Sequence, residues 1–141
     1  MNDNYKLDIA YVAGIFDGEG SLTYKKYKER RKKGNKVNYY DCWRIAMEIS
    51  MTDKNTIELI HETLMCGTVR PKKVPKGMKP QWRWRCTFRD CLYVCKKLWP
   101  FAIVKLHKIE QVIDHYEPDI QEINDNVIDL ALEREKKKHD Q

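Results

Sequence analysis

The sequence predicts an α+β fold in which helices cover one face of a single four-stranded antiparallel sheet. Three observations carry this expectation. The chain opens with an apolar helical stretch that ends in two carboxylates. Two pairs of alternating apolar and polar segments follow, one pair on each side of a second helical segment. Helical spacing then returns after Arg89 and runs toward a charged end. At 141 residues the chain suits one domain with a real core.

Residues 1–6 read as a polar arm, and residues 7–19 as the first helix. From Ile9 to Phe16 the only polar group is the Tyr11 hydroxyl. A helix apolar on all sides must be buried on all sides. Leu7, Tyr11, Val12, Ile15 and Phe16 are expected to pack on the chain's own core. Ala10, Gly14 and Gly18 recur at i, i+4 and i+8, a stripe of small residues against which a second helix can approach closely. Glycine ends the helix and leaves Glu19 at its foot.

Residues 21–27 alternate as a first strand, with Leu22 and Tyr24 facing one way. Lys25, Lys26, Lys28, Arg30, Arg31, Lys32, Lys33 and Lys36 crowd the stretch around Gly34-Asn35, a hairpin signal. Such a tip is either simply solvated or placed to reach phosphates. Residues 38–50 form the clearest strand, with Trp43, Ile45, Met47 and Ile49 on its buried face. Thr52 or Asp53 caps a helix carrying Ile57, Ile60 and Leu64, which Gly67 ends. A third strand spans residues 68–76, where Pro71 and Pro75 imply an irregular or edge position. Residues 81–89 alternate again: Trp82, Trp84, Cys86 and Phe88 inward, and Gln81, Arg83, Arg85, Thr87 and Arg89 outward. Asp90 caps a helix over residues 91–99 that Pro100 stops. A further helix runs from near Ile103 to Tyr116, and a last amphipathic one carries Ile120, Ile123, Val127 and Leu130.

The net charge of +6 and pI near 9.0 suit a polyanionic partner. No apolar run is long enough to span a membrane, and residues 1–6 carry no signal-peptide core, so an intracellular, cytoplasmic protein is expected. Five cysteines without a Cys-x-x-Cys pair imply reduced, mostly buried thiols. A zinc-stabilised interaction protein is kept as an alternative, although Cys86, Cys91 and Cys95 are spaced more widely than structural zinc sites prefer.

The stretch from Val12 to Gly20 continues into Ser21, and Ala13, Gly14, Asp17, Gly18, Glu19, Gly20 and Ser21 follow the motif of the LAGLIDADG homing endonucleases, which the chain resembles. A second stretch, Leu98-Trp99-Pro100-Phe101-Ala102-Ile103-Val104-Lys105, resembles the family's Leu-x-Pro-(Tyr/Phe)-Leu-x-x-Lys element. The order of elements also matches the family's αββαββα unit. The resemblance covers roughly residues 7–116, giving an endonuclease domain over 1–116 and a charged, helical C-terminal extension over 117–141. Only one copy of the motif is present.

The resemblance implies a homodimer that cuts double-stranded DNA at a long pseudo-palindromic site. It would cut across the minor groove, leaving 3′ overhangs, with Mg2+ (or Mn2+) as cofactor. Ala10, Gly14 and Gly18 would then line the dimer interface. Glu19 would be catalytic and hold the metal with the Gly18 carbonyl, Lys105 would be catalytic, and Asp17 would serve the helix end by hydrogen bonding. The outward sheet face would read DNA through Ser21, Thr23, Lys25, Tyr27, Arg44, Glu48, Arg70, Lys72, Arg83, Arg85 and Thr87, with Cys42 and Thr68 on the same face. One departure stands out. Met51 falls where the family often has a polar residue that orders active-site water, and Ser50, Thr52 or Asp53 are the candidates to replace it. A nuclease-inactive binder of DNA, or of intron RNA in the manner of a maturase, is the second reading. Location in an organelle or a phage-infected host fits the family equally.

Overall fold

The computed structural model describes residues 7–118. The polar arm, the amphipathic segment around Ile120–Leu130 and the charged end lie outside the described residues. Helix α1 (Ile9–Glu19) leads into strands β1 (Gly20–Lys33) and β2 (Lys36–Met51). Helix α2 (Lys54–Leu64), strands β3 (Thr68–Lys72) and β4 (Gln81–Thr87), and helices α3 (Arg89–Leu98) and α4 (Leu106–Tyr116) follow. The sheet is antiparallel with strand order β1-β2-β4-β3. Its inner face supplies Leu22, Ile45, Met47, Ile49, Trp84 and Cys86 to the core. The helices close over that face with Val12, Phe16, Ile57, Ile60, Val94, Leu98, Ile109 and Val112. Among the described residues no helix is long and apolar enough to cross a membrane.

Local chemistry sets the boundaries. The Asp8 carboxylate accepts from the Ala10 N–H at 2.7 Å and opens α1. Asp53, one of the two expected caps, accepts from the Thr56 N–H and opens α2. Met65, rather than Gly67, ends α2 in the left-handed conformation, donating its N–H to the His61 carbonyl. Gly67 has a different task. At φ +86° it passes so close to β4 that a Cβ would lie 2.7 Å from the Arg85 carbonyl and from Trp84 Nε1. That approach lets Trp84 Nε1–H donate to the Cys66 carbonyl.

Several expectations are corrected. Tyr11 is 57% exposed, and Ala13 occupies the core position on α1 instead. The face of α1 carrying Ala10, Gly14 and Gly18 is open within the chain. Gly20 is extended rather than left-handed; glycine is needed there because a Cβ would lie 2.2 Å from the Phe16 ring. β1 is twice as long as hydrophobic alternation implied, β2 starts two residues earlier and ends one later than expected, and β3 ends at Lys72. Phe88 leaves the inward set: at φ 52° it turns the chain from β4 into α3 and is 54% exposed. Asp90 lies in the first turn of α3 and does not cap it. α4 begins at Leu106.

The five cysteines are all free thiols. Cys86 and Cys91 approach to 3.6 Å between sulfurs, and Cys95 Sγ donates to Met47 Sδ. The hydrogen bond with Cys91, together with burial, pushes the Cys86 thiol up, and burial does the same to Cys95. These are inert core thiols. Among the described residues no three His, Cys, Asp or Glu side chains converge to hold a metal, so the zinc reading finds no ligand set there.

Candidate nucleic-acid interface and carboxylate site

The outward face of the sheet gathers the residues singled out for binding. Pairing registers Ser21 with Glu48, Glu48 with Arg85, and Arg85 with Thr68, one row across all four strands. Neighbouring rows carry Thr23, Ala46 and Thr87, then Ser50, Arg83 and Arg70, with Lys72 opposite Gln81. Lys25 pairs with Arg44, and the Arg44 guanidinium lies 5.7 Å from the Tyr27 ring. Arg83 reaches diagonally to Glu48 at 3.5 Å, both side chains partly in water. Every side chain proposed to read bases therefore sits on one surface.

Beyond the Thr23–Ala46 pair, where β4 stops, β1 and β2 continue as a two-stranded ribbon. Gly34, at φ +63°, and Asn35 make its two-residue turn, with glycine at the first central position as a type II′ turn requires. The ribbon continues the outward face with Glu29 opposite Tyr40 and Arg31 opposite Asn38. Here Arg31 lies over the Tyr40 ring at 4.9 Å and ion-pairs with Glu29 at 3.3 Å. Cys42 Sγ–H also donates to Glu29, and these bonds hold the Glu29 carboxyl low. The sequence places Arg31 in the basic hairpin stretch but gives no sign of Glu29 and Tyr40 beside it, because no apolar period marks them; the Gly-Asn turn is the signal available. On the reverse face Lys26 and Lys28 bracket Asp41 at 3.2 and 3.5 Å. The ribbon's base is braced by an aromatic cluster that was also missed. Tyr24 stacks on Trp43 at 4.9 Å, and His115 of α4 meets both rings edge-on.

The second locus is the foot of α1. The Phe16 carbonyl accepts from the Gly20 N–H. Asp17 is fully engaged with the loop between α3 and α4. Its Oδ2 accepts from the Ile103 N–H at 2.7 Å and its Oδ1 from the Lys105 N–H at 3.1 Å. Lys105 Nζ donates back to the Asp17 carbonyl at 2.7 Å. The ammonium thereby sits at the negative end of the helix dipole. Glu19, two residues on, is exposed, and among the described residues nothing donates to its carboxylate. It stands two residues before Ser21, where the outward face begins. Met51 packs half-buried against the core opposite Trp82. Of its candidate replacements, Asp53 is committed to capping α2, and Ser50 lies on the outward face opposite Arg83.

No family model matches the sequence, and no curated protein matches it. Solved structures do match. The archaeal intron-encoded homing endonuclease I-Vdi141I, complexed with DNA, superposes with a TM-score of 0.58 at 20% identity, covering 91% of this chain and 82% of that one. The homing endonuclease I-TnaI gives 0.57 at 18% identity over 92% and 88%. I-CvuI, solved with the I-CreI target and magnesium and with its DNA not cleaved, gives 0.57 at 20% identity, and this chain spans 63% of its length.

Proposed function

The chain has the fold of the LAGLIDADG homing endonucleases, and from that premise we propose that two copies of it act as a site-specific, metal-dependent DNA endonuclease. The observation that carries the reading is the contrast at the foot of α1. Asp17 spends its carboxylate on the Ile103 and Lys105 N–H groups, while Glu19 stays exposed beside a basic sheet face. The DNA complexes among the structural neighbours support the nucleic-acid half of the proposal.

The donor set fits a magnesium ion. Hard cations take oxygen ligands, and magnesium is usually held by one or two carboxylates together with substrate phosphates. Glu19 offers a carboxylate, and Gly18 a carbonyl at the helix terminus. One chain alone supplies too few ligands, so a second copy and the scissile phosphates complete the set. When bound, the ion activates water and neutralises charge on the phosphate. Lys105, pinned by Asp17, offers a fixed cation to the charge that develops on phosphate oxygens. The outward face sits in the major groove, where Arg83 and Arg85 address base edges and the ribbon lysines address phosphates. Twofold assembly through the open face of α1 supplies one Glu19 to each DNA strand and makes the target pseudo-palindromic.

Met51 favours a second reading, in which the chain binds DNA without cutting it, because a core-packed methionine orders no water. Selection of cleaved sites from a randomised duplex library in magnesium separates the two. The endonuclease reading expects one enriched pseudo-palindromic family. Sites enriched by binding, with no cleavage in magnesium or manganese, would establish the binder.

A further inference from the structure

The β1–β2 ribbon is a long arm that its own strands hold poorly in direction. From Tyr24 to the turn at Gly34 it extends roughly 34 Å at the rise of an antiparallel strand. Two-stranded ribbons also twist more strongly than wide sheets. A small change of angle at the root therefore moves the tip by several ångströms.

β1 ties this arm to the foot of α1, because it begins at Gly20, next to Glu19. Lys105 is not on that strand, and α4 is what ties it to the arm. The Lys105 carbonyl accepts from the Ile109 N–H at 3.0 Å and opens the helix. Its own N–H and Nζ are bound to Asp17. α4 is 11 residues long, about 16 Å, and Ile109, Val112 and Ile113 bury its middle in the core. In its last turn His115 Nδ1 lies 3.3 Å from the Tyr24 hydroxyl. The His115 ring meets Trp43 at 4.8 Å and Tyr24 at 5.6 Å, edge-on to both. Tyr116 lies edge-on to His115 at 4.8 Å, and Arg89 of α3 sits over Tyr116 at 5.4 Å. The Glu117–Lys96 ion pair fixes the same end of α4 to α3. The foot of α1, β1, the ribbon's root and α4 thus form a closed frame, with His115 at one corner.

We infer that His115 is a positioning residue for cleavage: it aligns the DNA-bound ribbon with Lys105, so that contacts at the outer end of the target speed the reaction. The inference rests on the endonuclease reading proposed above. Binding energy gained far from the reacting bond raises the maximal rate only when it is realised in the transition state. A rigid frame delivers it there, whereas a hinged arm adds affinity alone. Misplacement by about 1 Å at the reacting groups can cost on the order of a hundredfold in rate. A ring held edge-on among three aromatic neighbours fixes direction, and the ribbon's surface ion pairs are each too weak to do so.

Single-turnover cleavage at saturating enzyme tests this on two duplexes. One is the target recovered by selection; the other is truncated at both ends, so that the ribbon has no DNA beneath it. In the wild type, truncation should lower the maximal rate roughly tenfold or more, as well as weaken binding. His115→Ala should cut the full target at the wild type's truncated-target rate, with no further loss on truncation. Its ribbon lysines still reach phosphates, so affinity for the full target should fall far less. His115→Phe keeps the ring edges and should restore the difference between the duplexes. Thermal unfolding of each variant sets the assay temperature well below its midpoint. A His115→Ala rate that falls equally on both duplexes would overturn the inference and leave His115 a packing residue. Lost affinity at an unchanged maximal rate would also overturn it, as would a wild-type rate indifferent to truncation. A chain that cuts no duplex at all would end the endonuclease reading together with this role; where cleavage is present, the other outcomes bear on His115 alone.

Discussion

The foot of α1 and the β1–β2 ribbon are both polar, and they are built on opposite principles. At the foot, each oxygen of Asp17 has one assigned partner, and Lys105 has one carbonyl. Along the ribbon, charges are numerous and exposed, and their ion pairs lie wholly at the surface. Surface ion pairs contribute little each, whereas a specific bond at an organised site is costly to remove. Substitutions at the foot should therefore act all-or-none, and those on the ribbon should act by degrees.

Asp17→Ala should show the first kind of effect most strongly. It strips acceptors from two backbone N–H groups and frees the Lys105 loop, costing about 1–3 kcal/mol of stability by denaturant unfolding. Cleavage should fall roughly a hundredfold or more through the displaced ammonium. Lys105→Met isolates the second part: cleavage slows by about 10²–10³ in single-turnover assays while DNA affinity holds, and stability falls less than in Asp17→Ala because both bonds to the Asp17 carboxylate remain. A parallel loss of affinity would instead make Lys105 a phosphate anchor.

Arg83 and Arg85 stand between the two extremes. Arg85→Ala should relax preference at particular base pairs by about 1–3 kcal/mol in a binding-site scan. Arg83→Ala should also release Glu48, its partner at 3.5 Å, and so alter two positions. A uniform loss over all sequences would assign these arginines to the backbone.

The ribbon should give the smallest effect per residue. Replacing Lys28, Lys32 or Lys33 by Gln should weaken binding to all sequences alike and reduce the salt slope by roughly 0.9 for each phosphate no longer neutralised. A sequence-dependent effect would move the ribbon from phosphate binding to readout.

The same contrast explains what was legible in the sequence. Trp43, Ile45, Met47 and Ile49, and Trp82, Trp84 and Cys86, announce their strands by strict alternation, because burial on one face leaves a period of two. The ribbon lacks that mark. Backbone pairing and a Gly-Asn turn hold it, and neither writes an apolar pattern. Phe88 fits the alternation yet is turned outward by a positive φ that only the junction with α3 imposes. The carboxylates at the foot were readable as residues but not as partners: Asp17 bonds to groups 86 and 88 positions away. No local spacing could place Ile103 beside Asp17. Met65 in place of Gly67 at the end of α2 shows a tertiary demand, the passage beside Trp84, claiming the glycine that local rules gave to the cap.

In the proposed enzyme two carboxylates two residues apart, Asp17 and Glu19, divide structure from chemistry. Glu19→Gln beside Asp17→Ala, assayed for cleavage, duplex affinity and unfolding in magnesium after chelation, tests it most directly. Glu19→Gln should abolish cutting of both strands while stability stays at wild type and affinity holds or rises slightly, because a negative charge near phosphate has gone. Asp17→Ala should lose stability and cleavage together. Wild-type cleavage by the Glu19→Gln homodimer, or unfolding of it as marked as that of Asp17→Ala, would contradict the division.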